Sequence, residues 1–256
     1  MSRVAVLHPG EMGAAVGAAL VETGHEVVWL PVGRSAATRR RAVAAGLVEA
    51  DDLDGCDVVL SVCPPGAAVE LARSVAGFAG LYVDANAVSP ATAEAVAATV
   101  QAGGAAYVDG GIIGPPPHEP GTTRLYLSGA RASEVARLFL DSRVEPVVVG
   151  AGRFAASATK MTYAAWTKIS AALLLSVAEA AARLDVDDVL RAEWAVSQPD
   201  LSARLESTQR SAHAKGWRWE AEMREIAATF AAAGVPSGFG ESAAEVFGAY
   251  EQPTES

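Results

Sequence analysis

The sequence predicts an α/β fold: a doubly wound, mostly parallel sheet followed by a smaller all-helical domain, the two joined by a long helix. Three observations predict it. Apolar runs without polar alternation recur as far as Val149, each separated from the next by a helical stretch or a turn. Strands buried on both faces read this way, and helical crossovers between them imply parallel pairing. A glycine turn directly follows the first of these runs, at Gly10 and Gly13. From Arg153 the pattern becomes helical, and Phe154–Leu184 contains neither Gly nor Pro.

In chain order, Arg3–Leu7 is the first expected strand, followed by helix Met12–Glu22. Strand Val27–Pro31 precedes helix Ala36–Ala45, and strand Val58–Val62 precedes helix Ala67–Ala76. Strand Leu81–Asp84 leads to helix Pro90–Ala102. Ala106–Asp109 and Leu125–Ser128 are the next strands, then helix Ala132–Asp141 and a last strand at Glu145–Val149. The helix Phe154–Leu184 would run roughly 45 Å at the α-helical rise, longer than a small domain needs, so it leaves the sheet. Helices Asp187–Val196, Asp200–Ala214, Trp217–Ala233 and Gly240–Tyr250 follow, with Gly234-Val235-Pro236 as a stop signal. The expected division is 1–152 for the sheet domain and 153–256 for the helical one.

Hydrophobic residues make up 51% of the chain and charged residues 20%, which is the composition of a folded globular protein. The formal net charge of -10 argues against a nucleic-acid partner. Cys56 and Cys63 flank the run Val58–Val62 and read as small core residues, not a bridge. The four histidines are scattered, with no partner at metal-ligand spacing, so no metal site is expected. The N-terminus enters a strand pattern without the apolar core of a signal peptide. The apolar stretch around Ala164–Ala182 is broken by Lys168 and Glu179. A cytoplasmic protein that does not enter a membrane is therefore expected.

The first strand ends in Leu7-His8-Pro9-Gly10-Glu11-Met12-Gly13. Against the dinucleotide fingerprint G-x-G-x-x-G, His8 takes the place of the first glycine, while Gly10 and Gly13 are the second and third. The second lets a pyrophosphate approach the backbone, and the third lets helix and strand pack closely. A helix N-terminus supplies backbone N–H groups to phosphate. The second strand does not end in the acid that binds the ribose hydroxyls of NAD. Instead comes Pro31-Val32-Gly33-Arg34-Ser35, then Thr38 and Arg39. Arg34, Ser35 and Arg39 are suited to a 2′-phosphate, so a Rossmann domain holding NADP(H) is expected. The plainer reading of Arg39–Arg41 is an exposed basic helix face.

These residues resemble the β-hydroxyacid dehydrogenase superfamily, the relatives of 6-phosphogluconate and 3-hydroxyisobutyrate dehydrogenases. Five landmarks carry the resemblance, in order along most of the chain: the loop ending in Met12-Gly13; the strand and turn through Val62-Cys63-Pro64-Pro65; Asp84-Ala85-Asn86-Ala87-Val88-Ser89-Pro90; the strand ending in Asp109 with a glycine-rich turn, Gly110-Gly111-Ile112-Ile113-Gly114; and Gly150-Ala151-Gly152 leading to Lys160. The stretch from Lys215 through Trp217, Trp219 and Glu222 to Ile226 points to a subgroup with a short helical domain. The resemblance implies a nicotinamide-dependent oxidoreductase acting on a small molecule, with Val62–Pro65 near the nicotinamide ribose. It also implies a homodimer, in which Trp217 or Glu222 of one subunit would reach the other's substrate. Three positions depart from the family pattern. Tyr163 and Ala164 stand where an Asn follows the lysine, Asn86-Ala87 where Ser-Thr is usual, and Ile113 where a Ser meets a substrate carboxylate.

Hydride transfer needs a group that stabilises the growing oxyanion. Lys160 is the candidate, one of only three lysines with Lys168 and Lys215. Burial at a domain junction would lower its pKa toward neutrality. Tyr163, one turn on, would share proton donation or simply pack, and Asn86 would orient substrate or nicotinamide ribose or cap a turn. Ile113, Gly114, Lys168 and Trp217 are the substrate-side candidates, with Lys168 equally suited to a structural ion pair and Trp217 to a core. Carbonyl reduction with Lys160 as acid is the first expectation. Imine reduction is the second, and a non-enzymatic NADP-sensing protein, for which the His8 replacement speaks, the third.

Overall fold

The computed structural model describes residues 1–150 and 152–252. Ala151, in the middle of the fifth landmark, lies outside the described residues. The chain divides into two compact units, one ending at Met161 and the other beginning at Thr162.

The first unit is built on one eight-stranded sheet. Strand β1 (Arg3–Val6) is followed by α1 (Glu11–Glu22), β2 (Glu26–Trp29), α2 (Ala36–Ala44) and the two-residue β3 (Val48–Glu49). Then come β4 (Val58–Ser61), α3 (Ala68–Ser74), β5 (Leu81–Asp84), α4 (Pro90–Ala102), β6 (Ala106–Ile113), β7 (Thr123–Ser128), α5 (Ala132–Leu138) and β8 (Val144–Val148). The strand order is β3-β2-β1-β4-β5-β6-β7-β8, and only β6 and β7 pair antiparallel. The chain moves one way from β1 to β3 and the other way from β4 onward. The reversal at β1 and β4 is the switch point at which open α/β sheets bind ligands, beyond the carboxyl ends of the strands.

The sheet is covered on both faces. Along β1, Val4 and Val6 join a core with Val16 and Leu20 of α1 and Val135 of α5. Ala5 and Leu7 join a second core with Ala68 and Ala72 of α3 and Val96 and Val100 of α4. The two-residue alternation of a strand thus feeds two cores, and each fully buried Val or Leu contributes about 1.5–3 kcal/mol. Trp29, at the end of β2, is fully buried.

Two features differ from the sequence expectation. The short edge strand β3 was not foreseen, because Val48 and Glu49 are both exposed and carry no apolar run. The strand ending in Asp109 was expected to give way to a glycine turn, yet β6 continues through Gly110 and Gly111 to Ile113. A Cβ on Gly110 would lie 2.9 Å from the Asp84 carbonyl oxygen, and one on Gly111 2.8 Å from the Lys160 Cβ. The pair is small so that neighbours can approach the strand, and the chain turns only at Gly114, whose φ is +128°.

Helix α6 (Ala155–Arg183) is continuous across the boundary between the units. Its first turns are tied to the sheet, and the first compact unit accordingly extends to Met161. The second unit continues with α7 (Asp187–Ser197), α8 (Leu201–Lys215), a 3-10 turn at Gly216–Arg218, α9 (Trp219–Ala232) and α10 (Gly238–Gly248). Met223, Ile226 and Phe247 are fully buried where α9 and α10 pack. Gly240 allows that packing, since a Cβ there would meet the Ala227 backbone nitrogen at 2.9 Å. Trp219 sits edge-on to Phe247 with ring centroids 5.0 Å apart. By length and composition alone α6 would pass as a membrane span, with 39% of its most apolar window buried. Here it is the helix that runs from the first unit into the second.

Candidate cofactor and active site

The loop after β1 is shaped by Gly13. A Cβ at that position would lie 2.3 Å from the His8 carbonyl oxygen, so any other residue would push helix and loop apart. Gly10 is the N-cap of α1 in extended conformation, and its N–H donates to His8 O at 2.8 Å. His8 does not need the glycine it replaces. Among the described residues, the only non-glycine residues with positive φ are Asp141 and Asp185.

The turn after β2 carries Arg34 back toward this loop. Arg34 N–H donates to Pro31 O at 3.1 Å, and Gly33 takes φ +72°, which a side chain would strain. Arg34 Nη2 then donates to Leu7 O at 2.8 Å, and Nη1 lies 3.0 Å from His8 Nδ1. Its Nε is buried without a hydrogen-bond partner. The other two basic-site candidates are differently engaged. Ser35 is the N-cap of α2 and accepts from Thr38 N. Arg39 pairs with Glu49 and lies over the Trp29 ring, 5.8 Å from its centroid.

Beyond β4, Val62 is buried, Cys63 and Pro65 are half-buried and Pro64 is exposed. Asn86 fixes this turn. Its Oδ1 accepts from Cys63 N at 2.6 Å, and its Nδ2 donates to Ser61 Oγ at 3.0 Å and to Asp84 Oδ1 at 2.6 Å. Its backbone N–H donates to the same Asp84 oxygen. The capping role before Pro90 belongs to Ser89, which accepts from Thr92 N. Asp84 is wholly buried and also receives Tyr107 Oη at 3.4 Å. Burial raises its carboxyl to about 7, opposed by the hydrogen bonds from Asn86. Burial likewise pushes the Cys63 thiol up to about 12, so it is no thiolate nucleophile at neutral pH.

Asp109, next to Asp84 in the parallel register, anchors the start of α6. Its carboxylate accepts from Ser157 N, Ser157 Oγ and Ser128 Oγ, and Ser128 Oγ in turn accepts from Ala156 N. Burial raises the Asp109 pKa while the serine hydrogen bonds lower it. This clamp, with the gap at Gly111, seats the half-buried Lys160 against β6. Ile113 is buried at the end of β6, and Gly114 forms the exposed turn after it.

Three sets of the expected residues of the first unit are therefore assembled: His8 with Arg34, Asn86 with Cys63, and Lys160 with Gly111. Asp109, Ser128 and Ser157 were missed as a group, because nothing in their spacing announces a clamp. Tyr163, Lys168 and Trp217 belong to the helical unit. Tyr163 is half exposed. Lys168 Nζ pairs with Glu222 at 2.9 Å and lies over the Trp219 ring. Trp217 is half-buried beneath the Arg218 guanidinium.

Residues 181–249 match a family model described as a domain of unknown function, DUF1932. A solved conserved protein of unknown function, described as structurally similar to 3-hydroxyacid dehydrogenases, is 29% identical with a TM-score of 0.69, over 96% of this chain and 95% of its own. The fold is that of 3-hydroxyacid dehydrogenase-like proteins, as the resemblance in the sequence implied. The 3-hydroxyisobutyrate dehydrogenase of Mycobacterium tuberculosis shares the fold at 21% identity and a TM-score of 0.70, over 96% of this chain and 92% of its own. An imine reductase of Streptomyces aurantiacus does so at 21% identity and a TM-score of 0.54, over 96% and 93%. No curated protein matches this chain in sequence.

Proposed function

We propose that the chain is an NADPH-dependent oxidoreductase acting on a small carbonyl or hydroxy substrate, with Lys160 as general acid and base. The observation that supports it most is the seating of Lys160 on Gly111, in the same unit as the dinucleotide-type loop. The residues of that loop fit a nicotinamide dinucleotide. Gly13 permits the close helix approach, Gly10 presents bare backbone, and Arg34 holds an unpartnered buried donor beside them. Residues Pro9–Met12 would hold the pyrophosphate, Arg34 the 2′-phosphate, and the Val62–Pro65 turn the nicotinamide ribose. The bound dinucleotide would supply or accept hydride at a substrate carbon.

Lys160 would hand its proton to the carbonyl oxygen as the carbon gains hydride, or take it back in the oxidative direction. The Asp109 clamp fixes the helix that carries it. Asn86 orders the Cys63 turn from behind and is a supporting group. Imine reduction is the second reading, favoured by Ile113, whose buried side chain offers no hydroxyl to a substrate carboxylate. We infer a homodimer as well, formed through the exposed apolar stripe of Trp166 and Leu173 on α6.

The test is NADPH oxidation with ketone and imine panels on wild type, Lys160→Ala and Lys160→Arg. Ketone turnover is expected to fall about 10²–10⁴-fold in Lys160→Ala. Undiminished ketone turnover removes Lys160 from the chemistry. Imine turnover that ignores the substitution selects the second reading. Nucleotide binding without turnover of either panel selects the non-enzymatic NADP-sensing reading, and absence of nucleotide binding rejects all three.

A further inference from the structure

We propose that His8, at the place of the fingerprint's first glycine, is a positioning residue that sets cofactor preference by holding Arg34 in a phosphate-binding pose. The inference rests on the dinucleotide reading above and deepens it.

An arginine one turn beyond a strand end has many rotamers, and an exposed one gains little from holding any of them. Arg34 is held at three points. The Gly33 turn returns its backbone toward β1. Leu7 O, the last carbonyl before the loop, takes Nη2 at 2.8 Å. His8 Nδ1 takes Nη1 at 3.0 Å. A guanidinium only donates, so His8 Nδ1 is the acceptor and carries no proton in this contact. The bonds use two of the five guanidinium hydrogens. Nε–H is buried and unpartnered, so one donor is kept in place with nothing in the protein to satisfy it.

Glycine cannot make the last of these contacts. With glycine at position 8, Leu7 O alone would hold the fork, and the plane of the guanidinium would be free to turn about that bond. His8 fits here because the loop demands no positive φ at this position. Its ring packs over the glycine it leaves uncovered: a Cβ on Gly10 would meet His8 Cδ2 and Nε2 at 3.4 Å. The β1–α1 loop and the end of β2, which meet the pyrophosphate and the 2′-substituent of the ribose, are thereby tied into one unit. A preorganised fork favours the dinucleotide that carries a 2′-phosphate, because less ordering is left to the moment of binding.

The experiment is a fluorescence titration of the full chain with NADPH and with NADH, read as the ratio of the two Kd values. The variants are His8→Gly, His8→Asn, Arg34→Ala and His8→Gly/Arg34→Ala, each checked for unchanged thermal unfolding. His8→Gly is expected to reduce the NADPH preference about tenfold, the scale of one charge-assisted hydrogen bond. His8→Asn, whose amide oxygen accepts from Arg34, is expected to recover part of it. The double variant is expected to match Arg34→Ala, because His8 acts only through Arg34. An unchanged or increased preference in His8→Gly, or losses that simply add in the double variant, overturns the inference while leaving NADPH binding intact. A wild type that binds neither dinucleotide overturns the cofactor reading, and this inference with it.

Discussion

The two units bury polarity differently. The sheet unit encloses Ser61, Asp84, Asn86, Asp109, Thr123, Ser128 and Ser157, most of them in two hydrogen-bonded clusters that make a polar band, one on Asp84 and one on Asp109. Among the described residues of the helical unit, the buried polar side chains are Glu222 and Thr229. That unit instead leaves large apolar groups in water: Trp166 is 72% exposed, Leu173 63% and Leu184 71%. With Tyr163 and Val177 they recur along α6 and just past its end in steps of three, four and seven residues, which places them on one side. A sheet covered on both sides completes its own core, and its polar band orders the strand ends where a ligand would sit. A helical unit with an apolar stripe is shaped for a second surface, and a second copy of the chain is the occupant we infer.

The comparison breaks most readily at the stripe. Trp166→Glu together with Leu173→Glu is expected to weaken self-association by more than about 100-fold, since each apolar group is worth about 1.5–3 kcal/mol on burial. Light scattering would show monomers at concentrations where wild type is dimeric. A monomeric wild type would remove the inferred partner and leave the stripe unexplained.

Glu222→Gln tests the polarity buried in the helical unit. It leaves Lys168 half-satisfied beside Trp219 and should cost about 1–3 kcal/mol, less than a fully buried pair because the lysine keeps some solvent. The urea midpoint would show it.

The polar band makes a prediction of its own in pH. The folded state holds the Asp84 proton up to about pH 7, whereas an unfolded Asp releases it near 3.8. Protonation thus favours the fold, so this contribution is full below the unfolded value and is lost as pH rises toward 7. Asp84→Asn keeps an oxygen for Asn86 and should flatten the fall in urea midpoint expected of wild type between pH 4 and 7. An equal slope in both would mean that Asp84 does not titrate there.

The smallest effect is expected of Arg39→Ala. Its pair with Glu49 is exposed on both sides and worth about 0.2–1 kcal/mol. The NADPH-to-NADH preference should stay put, which would separate Arg39 from Arg34. A lost preference would restore Arg39 to the phosphate site.

Much of the fold was legible because it depends on periodicity. The strand runs and the helices between them, down to the change of pattern at Arg153, follow from where apolar residues fall. What escaped depends on what neighbours require. Gly110 and Gly111 read as a turn, since the sequence does not show that Asp84 O and Lys160 Cβ press on them. The edge strand β3 escaped for lack of an apolar run. In the candidate site, the glycine loop and Arg34 were legible from chemistry at a known spacing. Arg39 was legible only as a charge, and its diversion to Glu49 and Trp29 depends on an edge strand that the sequence did not reveal. Asn86 was named as orienting a ligand or capping a turn, and the partners it holds, Cys63 N, Ser61 and Asp84, could not be read from spacing.

Trp29 is the one tryptophan among the first 161 residues, and it lies fully buried at the end of β2, beneath Arg39. The molecule thereby carries an optical reporter at the adenosine end of the expected nucleotide site. The other four indoles all fall in the helical unit. With those four changed to phenylalanine, the remaining emission would come from the sheet unit alone. Its energy transfer to a reduced nicotinamide would then register arrival of the nucleotide without any added label.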